Sequence, residues 1–199
     1  MVTVMYHWKI LSFTKSVKML KLTIHDAKQL LQQGGILAYP TEAVYGLGCD
    51  ALNQASVESI RALKGRTTEK GFILLIADWA QLFPLIQPIT EEQLVRVRST
   101  WPGFVTWVFP KAPSLPSWLT GGQDTVAIRM SAHPIARALS KSQPLVSTSA
   151  NLSGQSPAKN EEELRQQFPT GIDALVQGQL GDFTQPSTMY DVLSNQQLR

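Results

Sequence analysis

The chain of 199 residues is long enough to bury a full hydrophobic core as one domain, without disulfide bonds. Its 43% hydrophobic and 17% charged residues are typical of an ordinary soluble globular protein. The single cysteine, Cys49, excludes an internal disulfide and a multi-cysteine zinc site, so a reducing cytoplasm is the expected location.

The net charge of +3 is concentrated near the amino terminus. Lys9, Lys15 and Lys18 precede Met19 with no Asp or Glu among them, and without them the basic and acidic residues are equal in number. Nucleic-acid binding would therefore depend on a local patch. No run approaches the roughly 18 apolar residues of a membrane span, and no signal peptide is recognisable. We interpret residues 1–18 as a dispensable extension.

The first half of the body alternates helix and strand signals. "TIHDAKQLLQQGG" (23–35) has a Thr-x-x-Asp capping box and a glycine stop, which predict a helix. "ILAYP" (36–40) predicts a buried strand, and the polar, glycine-rich stretch 41–50 follows it. "NQASVESIRALKG" (53–65) predicts a second helix with Lys64 on its last turn.

The second half continues the alternation and adds closely spaced strands. "FILLIAD" (72–78) is the strongest strand signal, and helical stretches are predicted at 79–86 and 90–99. Further strands are predicted at 105–109, 124–130, 144–148, 173–180 and 187–193, and further helices at 133–142 and, with an Asn capping box, at 160–168. The pattern predicts a single α/β domain over 19–199, with a twisted mixed sheet and flanking helices.

Two motifs carry candidate chemistry. "STSANLSG" (147–154) follows an apolar strand with four hydroxyls and no charge, and ligands of open α/β sheets bind beyond strand carboxyl ends. The same stretch also fits an ordinary Ser/Asn turn. "KGR" (64–66) supplies an ammonium and a guanidinium for phosphate, but also fits a helix-dipole lysine and a surface arginine.

Other familiar signatures do not occur. The chain has no G-x-x-x-x-G-K-[ST] phosphate loop, no H-E-x-x-H and no G-x-S-x-G. His7, His25 and His133 lack metal-ligand spacing, so they are interpreted as surface or capping residues, and no metal site formed by the protein is predicted. Cys49 is interpreted as a small buried apolar residue.

"YPTEAVYGLGCDA", "LKGR" and "STSANLSG", in this order and followed by "PST..D", resemble the YrdC/TsaC family of threonylcarbamoyl-AMP synthases over roughly 19–199. The resemblance implies a twisted sheet around a large cationic cavity. It implies an ATP-dependent nucleotidyltransferase that makes L-threonylcarbamoyl-AMP and pyrophosphate from L-threonine and bicarbonate or carbon dioxide, with Mg²⁺ on the ATP phosphates. Separate proteins of a transfer complex would then modify tRNAs that read codons beginning with A.

The resemblance also assigns residues. Lys64 and Arg66 would be catalytic and hold the nucleotide phosphates, with Ser149, Asn151 and Arg199 completing the ATP site. The threonine site would draw on Thr41, Thr125, Arg129, Ser147 and Ser187 or Thr188. Two positions depart from the family pattern, since Thr67 stands where proline is common and Ala43 where some members have threonine. Without the proline, the loop after Arg66 is expected to be less rigid.

Two alternatives to this function are considered. Similar domains occur in hydrogenase maturation proteins that make a carbamoyl-adenylate, but those are larger and have cysteine-rich fingers, which this chain lacks. The second alternative is a non-catalytic RNA-binding module acting in tRNA or ribosome maturation, with a local patch of Lys64, Arg66, Lys70 and Arg129.

Overall fold

The computed structural model describes residues 19–199, so the proposed extension 1–18 lies outside the described residues. Within this range there are nine strands: β1 (Leu20–Leu22), β2 (Leu37–Pro40), β3 (Tyr45–Asp50), β4 (Ile73–Ile76), β5 (Val105–Pro110), β6 (Thr125–Met130), β7 (Leu145–Ser149), β8 (Ala174–Val176) and β9 (Thr188–Asp191). The α-helices of the same range are α1 (Ile24–Gln32), α2 (Gln54–Lys64), α3 (Glu91–Arg98), α4 (Ser117–Thr120), α5 (Pro134–Leu139) and α6 (Glu161–Gln167).

All the described strands form one mixed sheet, in the order β1-β8-β2-β3-β7-β4-β6-β5-β9. The pairs β1–β8, β2–β8, β4–β6 and β5–β9 are parallel, and the other four neighbouring pairs are antiparallel. The predicted α/β class with a mixed sheet is therefore confirmed. Strand β1 was not predicted, because its three residues carry too short a pattern to recognise.

The predicted helix caps are confirmed at three helices. The side chains of Thr23, Asn53 and Asn160 each accept a hydrogen bond from the backbone N–H three residues on. Gly65 ends α2 in the left-handed conformation, with φ of 60°. The two predicted capping boxes differ from the usual form in their second bond, which normally joins the acidic side chain to the N-cap backbone N–H. Here the Thr23 hydroxyl donates to the Asp26 carboxylate, and the Glu163 carboxylate accepts from the Lys159 backbone N–H.

The glycine-rich stretch after β2 is a strand, which the sequence did not predict. β3 pairs antiparallel with both β2 and β7. Its glycines make room for the Tyr39 ring, because a Cβ at Gly46 or Gly48 would lie 3.1 Å or 2.8 Å from that ring. Glycine normally weakens a strand, so propensity alone concealed β3. The predicted helix at 79–86 is likewise two short 3₁₀ turns, Trp79–Gln81 and Phe83–Leu85.

The core forms on both faces of the sheet. One face packs Cys49, Leu74 and Val146 against Val57 and Ile60 of α2, and continues toward the layer of apolar side chains under α6. The opposite face packs the strand residues Leu37, Tyr39, Leu75 and Leu145 against α1 and α5. Helices α1 and α5 cover only part of this second face, which leaves the neighbouring part of β3, β7, β4 and β6 to line a cavity.

Gly48→Ala is expected to destabilise the fold more than Gly46→Ala. A Cβ at position 48 would meet the Val146 carbonyl oxygen at 2.6 Å, and this backbone atom belongs to the sheet. At position 46 the nearest atom, at 3.1 Å, belongs to the Tyr39 ring. We expect Gly48→Ala to lower the free energy of unfolding by about 1–3 kcal/mol in urea denaturation. Equal losses, or the reverse order, would contradict this packing.

Candidate active site

A cavity of about 470 Å³ lies on the sheet face that carries Tyr39. Four neighbouring strands contribute lining residues, and those that point to this face are Gly46, Ile73, Arg129, Ser147 and Ser149. Register places them on one face, because Ser147 lies opposite both Gly48 and Ile73. The turn after β2, the loop after α2, Phe104, the segments 156–159 and 184–187 and Arg199 form the remaining walls.

Basic side chains are spread around this cavity. Arg66, Arg129, Lys159 and Arg199 all line it. None of its lining residues within 19–199 is acidic. The cavity is thus surrounded by hydrogen-bond donors from guanidinium, ammonium and hydroxyl groups.

The Lys64 ammonium is buried at the end of α2 and contacts three oxygen atoms of one loop. It donates to the carbonyl of Ser149, to the carbonyl of Asn151 at 2.6 Å and to the Asn151 Oδ1 at 3.3 Å. An ammonium has three N–H donors, so all of them are used. Burial, and to a lesser extent the charge of Arg66, lower the pKa of Lys64 to about 8.

Ser149 and Asn151 belong to the same network. The Ser149 hydroxyl donates to the Asn151 Oδ1 at 2.6 Å, and the Asn151 amide donates to the carbonyls of Leu152 and Gln155. The structure therefore brings together Lys64, Ser149 and Asn151, as the sequence predicted. Ser149 lines the cavity directly, whereas Lys64 and Asn151 lie behind it.

Arg66 follows the αL turn of Gly65 and reaches the cavity from the loop that follows α2. Its Nη2 donates to the Gly71 carbonyl at 2.6 Å, and its guanidinium lies 5.1 Å from the centre of the Phe72 ring. The buried Arg61 fixes the same loop by donating to the carbonyls of Thr67 and Lys70. Burial, followed by the charge of Arg61, lowers the pKa of Arg66.

Arg129 is almost fully buried and paired with an acid. Its Nη2 lies 3.2 Å from the Glu42 carboxylate, which also accepts a 2.6 Å hydrogen bond from Ser131. The guanidinium packs on the Phe104 ring, and this ring stacks on Phe183. Burial lowers the pKa of Arg129, and the neighbouring Glu42 opposes that shift.

Arg199 is held firmly although it is the last residue. Its guanidinium donates to the Ser187 carbonyl and hydroxyl, both at 3.1 Å, and the Ser187 hydroxyl is 2.9 Å from that of Thr106. The Arg199 carbonyl accepts from the Met189 backbone N–H, which adds the terminus to the edge of β9. Arg199 therefore takes a defined place in the cavity wall.

The residues predicted for threonine divide into two groups. Thr41, Arg129, Ser147 and Ser187 line the cavity. Thr125 is exposed, and neither it nor Thr188 is among the lining residues. Thr188 pairs with Val105 at the start of β9, whereas its neighbour Ser187 reaches the cavity.

Several site residues were not singled out from the sequence. Lys159 lines the cavity from the segment before α6. Glu42 neutralises Arg129, and Arg61 holds the loop that carries Arg66. The pattern "PTE" could have indicated Glu42, but no local pattern announces Lys159, because the fold alone brings it to the cavity.

The other sequence interpretations concern residues outside the cavity. Cys49 is fully buried, and burial raises its pKa, as expected for an inert core residue. His25 is exposed, and His133 occupies the N-cap position of α5 but is buried. Within 19–199, no three His, Cys, Asp or Glu side chains are grouped so that they could hold a metal ion. The helices of this range are too short or too polar to cross a membrane.

Known proteins similar to this chain include synthases and a threonine-binding structure. A threonylcarbamoyl-AMP synthase of Coxiella burnetii (strain RSA 493) is 44% identical over 179 residues, which cover 89% of this chain and 96% of the relative. The synthase of Halorhodospira halophila is 45% identical over 178 residues, or 88% and 93% of the two chains. P. abyssi Sua5 complexed with L-threonine has a TM-score of 0.79 and 35% identity, covering 86% of this chain and 53% of Sua5.

This chain spans about half the length of that Sua5 chain, but nearly the whole length of both bacterial synthases. The model of the Sua5/YciO/YrdC family, described as "Telomere recombination", matches residues 29–199. That range includes the strand and loop residues that form the cavity. The chain therefore belongs to the Sua5/YciO/YrdC family.

Proposed function

We propose that this chain is a threonylcarbamoyl-AMP synthase, which forms L-threonylcarbamoyl-AMP and pyrophosphate from L-threonine, bicarbonate or carbon dioxide, and ATP. The bacterial relatives carry this enzyme's name at 44% and 45% identity, and a Sua5 protein binds L-threonine. The observation that carries the proposal is the cavity lined by β7 hydroxyls and four basic side chains. Such a lining suits ligands that bring negative charge, here a triphosphate and a carboxylate.

The substrates divide between two sets of residues in this proposal. Arg66, Lys159 and Arg199 hold the triphosphate, Ser149 contacts the nucleotide, and Asn151, which lies behind the cavity wall, acts through its hydrogen bond with Ser149. Lys64 holds the 149–151 loop before ATP arrives and exchanges one of its three hydrogen bonds for a phosphate oxygen. Thr41, Arg129, Ser147 and Ser187 surround threonine. Thr125 and Thr188 would have to act from outside the described cavity wall.

The reaction requires positioning and charge stabilisation. The threonine amine takes up carbon dioxide and loses a proton, which leaves an N-carboxylate. One oxygen of this group attacks the α-phosphorus, a new P–O bond forms, and the bond from that phosphorus to the pyrophosphate oxygen breaks. Two anions must therefore be brought together, and Arg66 with Lys64 offsets their repulsion. The step requires no nucleophile from the protein.

Mg²⁺ would enter as a part of the nucleotide substrate. The cavity lining within 19–199 provides hydroxyls and carbonyls but no Asp or Glu side chain, so these residues do not fit a resident Mg²⁺ site. We assign no step to the metal. We further propose a cytoplasmic enzyme whose product passes to a separate transfer complex that modifies tRNA. The relatives' names favour this synthase function over the RNA-binding alternative.

Pyrophosphate release should require all three substrates. In the purified protein, omission of threonine, bicarbonate or ATP should each abolish release. Arg66→Ala should lower kcat/KM by the equivalent of about 2–4 kcal/mol, because a charged contact to the transition state is lost. Its thermal unfolding should be close to that of the parent chain. Release that does not depend on threonine, or an Arg66→Ala protein with near-normal turnover, would refute the proposal.

ATP affinity should fall as the pH rises through about 8. The pKa of Lys64 lies near that value, so the protonated form, with three donors, predominates below it and is lost above it. Above that pH the ATP affinity should fall by up to about tenfold per pH unit, because a single proton is lost from the binding-competent form. Calorimetric titration with ATP, without threonine, should show this dependence in the parent chain and its absence in Lys64→Met. The same pH dependence in both proteins would rule out Lys64 as its source.

Lys159→Ala should raise the KM for ATP by roughly threefold to tenfold, because a charge-assisted bond to phosphate is lost. The matched control is Lys141→Ala, which removes the same charge from an exposed residue that does not line the cavity. Steady-state pyrophosphate release at saturating threonine provides both constants. Equal shifts in the two variants would mean that only overall charge matters.

A further inference from the structure

The Gly-x-Gly spacing of β3 has a structural role that the proposed chemistry does not use. Tyr39 lies opposite Gly46 in the β2–β3 register. Its ring occupies the space that side chains would take at Gly46 and at Gly48. The two glycines thus let one tyrosine extend from β2 across β3 as far as β7.

The Tyr39 hydroxyl ends at a residue of the cavity. It is fully buried and donates a 2.7 Å hydrogen bond to the Ser147 Oγ. Burial raises the pKa of Tyr39 above its ordinary value, so the phenol remains protonated at every working pH. Ser147 therefore accepts a hydrogen bond from this side.

That bond limits what Ser147 can do on its other side. A serine hydroxyl has one proton and two acceptor positions. The Tyr39 proton fills one acceptor position, and among residues 19–199 the Ser147 proton finds no acceptor. Ser149, two residues along the same face, differs because its proton is already donated to Asn151. Ser147 lines the cavity, so its proton is available to a ligand.

We propose that Tyr39 is a positioning residue that orients Ser147 as a hydrogen-bond donor to the carboxylate of the amino-acid substrate. A carboxylate accepts hydrogen bonds only, which matches a hydroxyl whose donor is free. Arg129 lines the same cavity but shares its charge with Glu42, so an oriented neutral donor contributes to recognition there. This inference rests on the proposed placement of threonine beside Ser147.

Tyr39→Phe removes the hydroxyl and keeps the ring over both glycines. Ser147 can then turn its proton away from the substrate, so the KM for threonine should rise by about tenfold, with kcat and the KM for ATP nearly unchanged. The control is Tyr190→Phe, which removes a phenol from β9 that packs on Trp107 and does not line the cavity. Tyr39→Phe should weaken the binding of threonine amide, which lacks the carboxylate, less than it weakens the binding of threonine.

A double-mutant cycle distinguishes this inference from the proposed function. Ser147→Ala should raise the KM for threonine, and adding Tyr39→Phe should raise it no further, because both changes remove one interaction. An unchanged threonine KM in Ser147→Ala would refute the placement of threonine. A raised KM in Ser147→Ala with additive effects, with no effect of Tyr39→Phe, or with unfolding of that variant would instead overturn the positioning role of Tyr39.

Discussion

The burial of one ammonium group determines the arrangement of the site. Lys64 ends α2 inside the protein, where an unpaired charge would be strongly unfavourable. The 149–151 loop offsets that cost with two carbonyls and an amide oxygen. Those oxygens can be aimed at Lys64 only if the loop turns back at the end of β7. The neutral amide of Asn151 meets this requirement without cancelling the positive charge of Lys64, which an acidic residue there would do.

The basic residues of the cavity are not equivalent. Arg129 faces the carboxylate of Glu42, so its charge is largely balanced within the protein. Arg66 and Arg199 instead donate to carbonyl and hydroxyl oxygens, which orient a guanidinium without neutralising it. The positive charge left for an anionic ligand therefore lies mainly on the sides of the cavity formed by Arg66, Lys159 and Arg199. This difference supports a triphosphate along those residues and the smaller carboxylate near Arg129.

The sequence predicts much of the fold but only part of the site. The helix caps and apolar strand runs are local signals, so most elements and the mixed sheet could be predicted. Strand β3 could not be predicted, because its glycines make room for the ring of Tyr39. That contact becomes visible only when β2 and β3 are paired. Within the site, the motif residues Lys64, Ser149 and Asn151 do converge. The Tyr39–Ser147 bond joins residues more than a hundred positions apart in the chain. Lys159 lies on a loop without a recognisable pattern. Both features become visible only in the tertiary structure.

Thr67 stands after Arg66 at a position where proline is common in the family, and other contacts hold the loop in its place. Proline at this position would stiffen the loop after Arg66 by fixing one backbone angle. Here the buried Arg61 donates to the carbonyls of Thr67 and Lys70 on the loop, and to that of Trp118 beside it. The loop also packs so closely on the 117–122 segment that a Cβ at Gly71 would lie 2.7 Å from the Thr120 carbonyl. These hydrogen bonds and contacts anchor the loop from which Arg66 reaches the cavity.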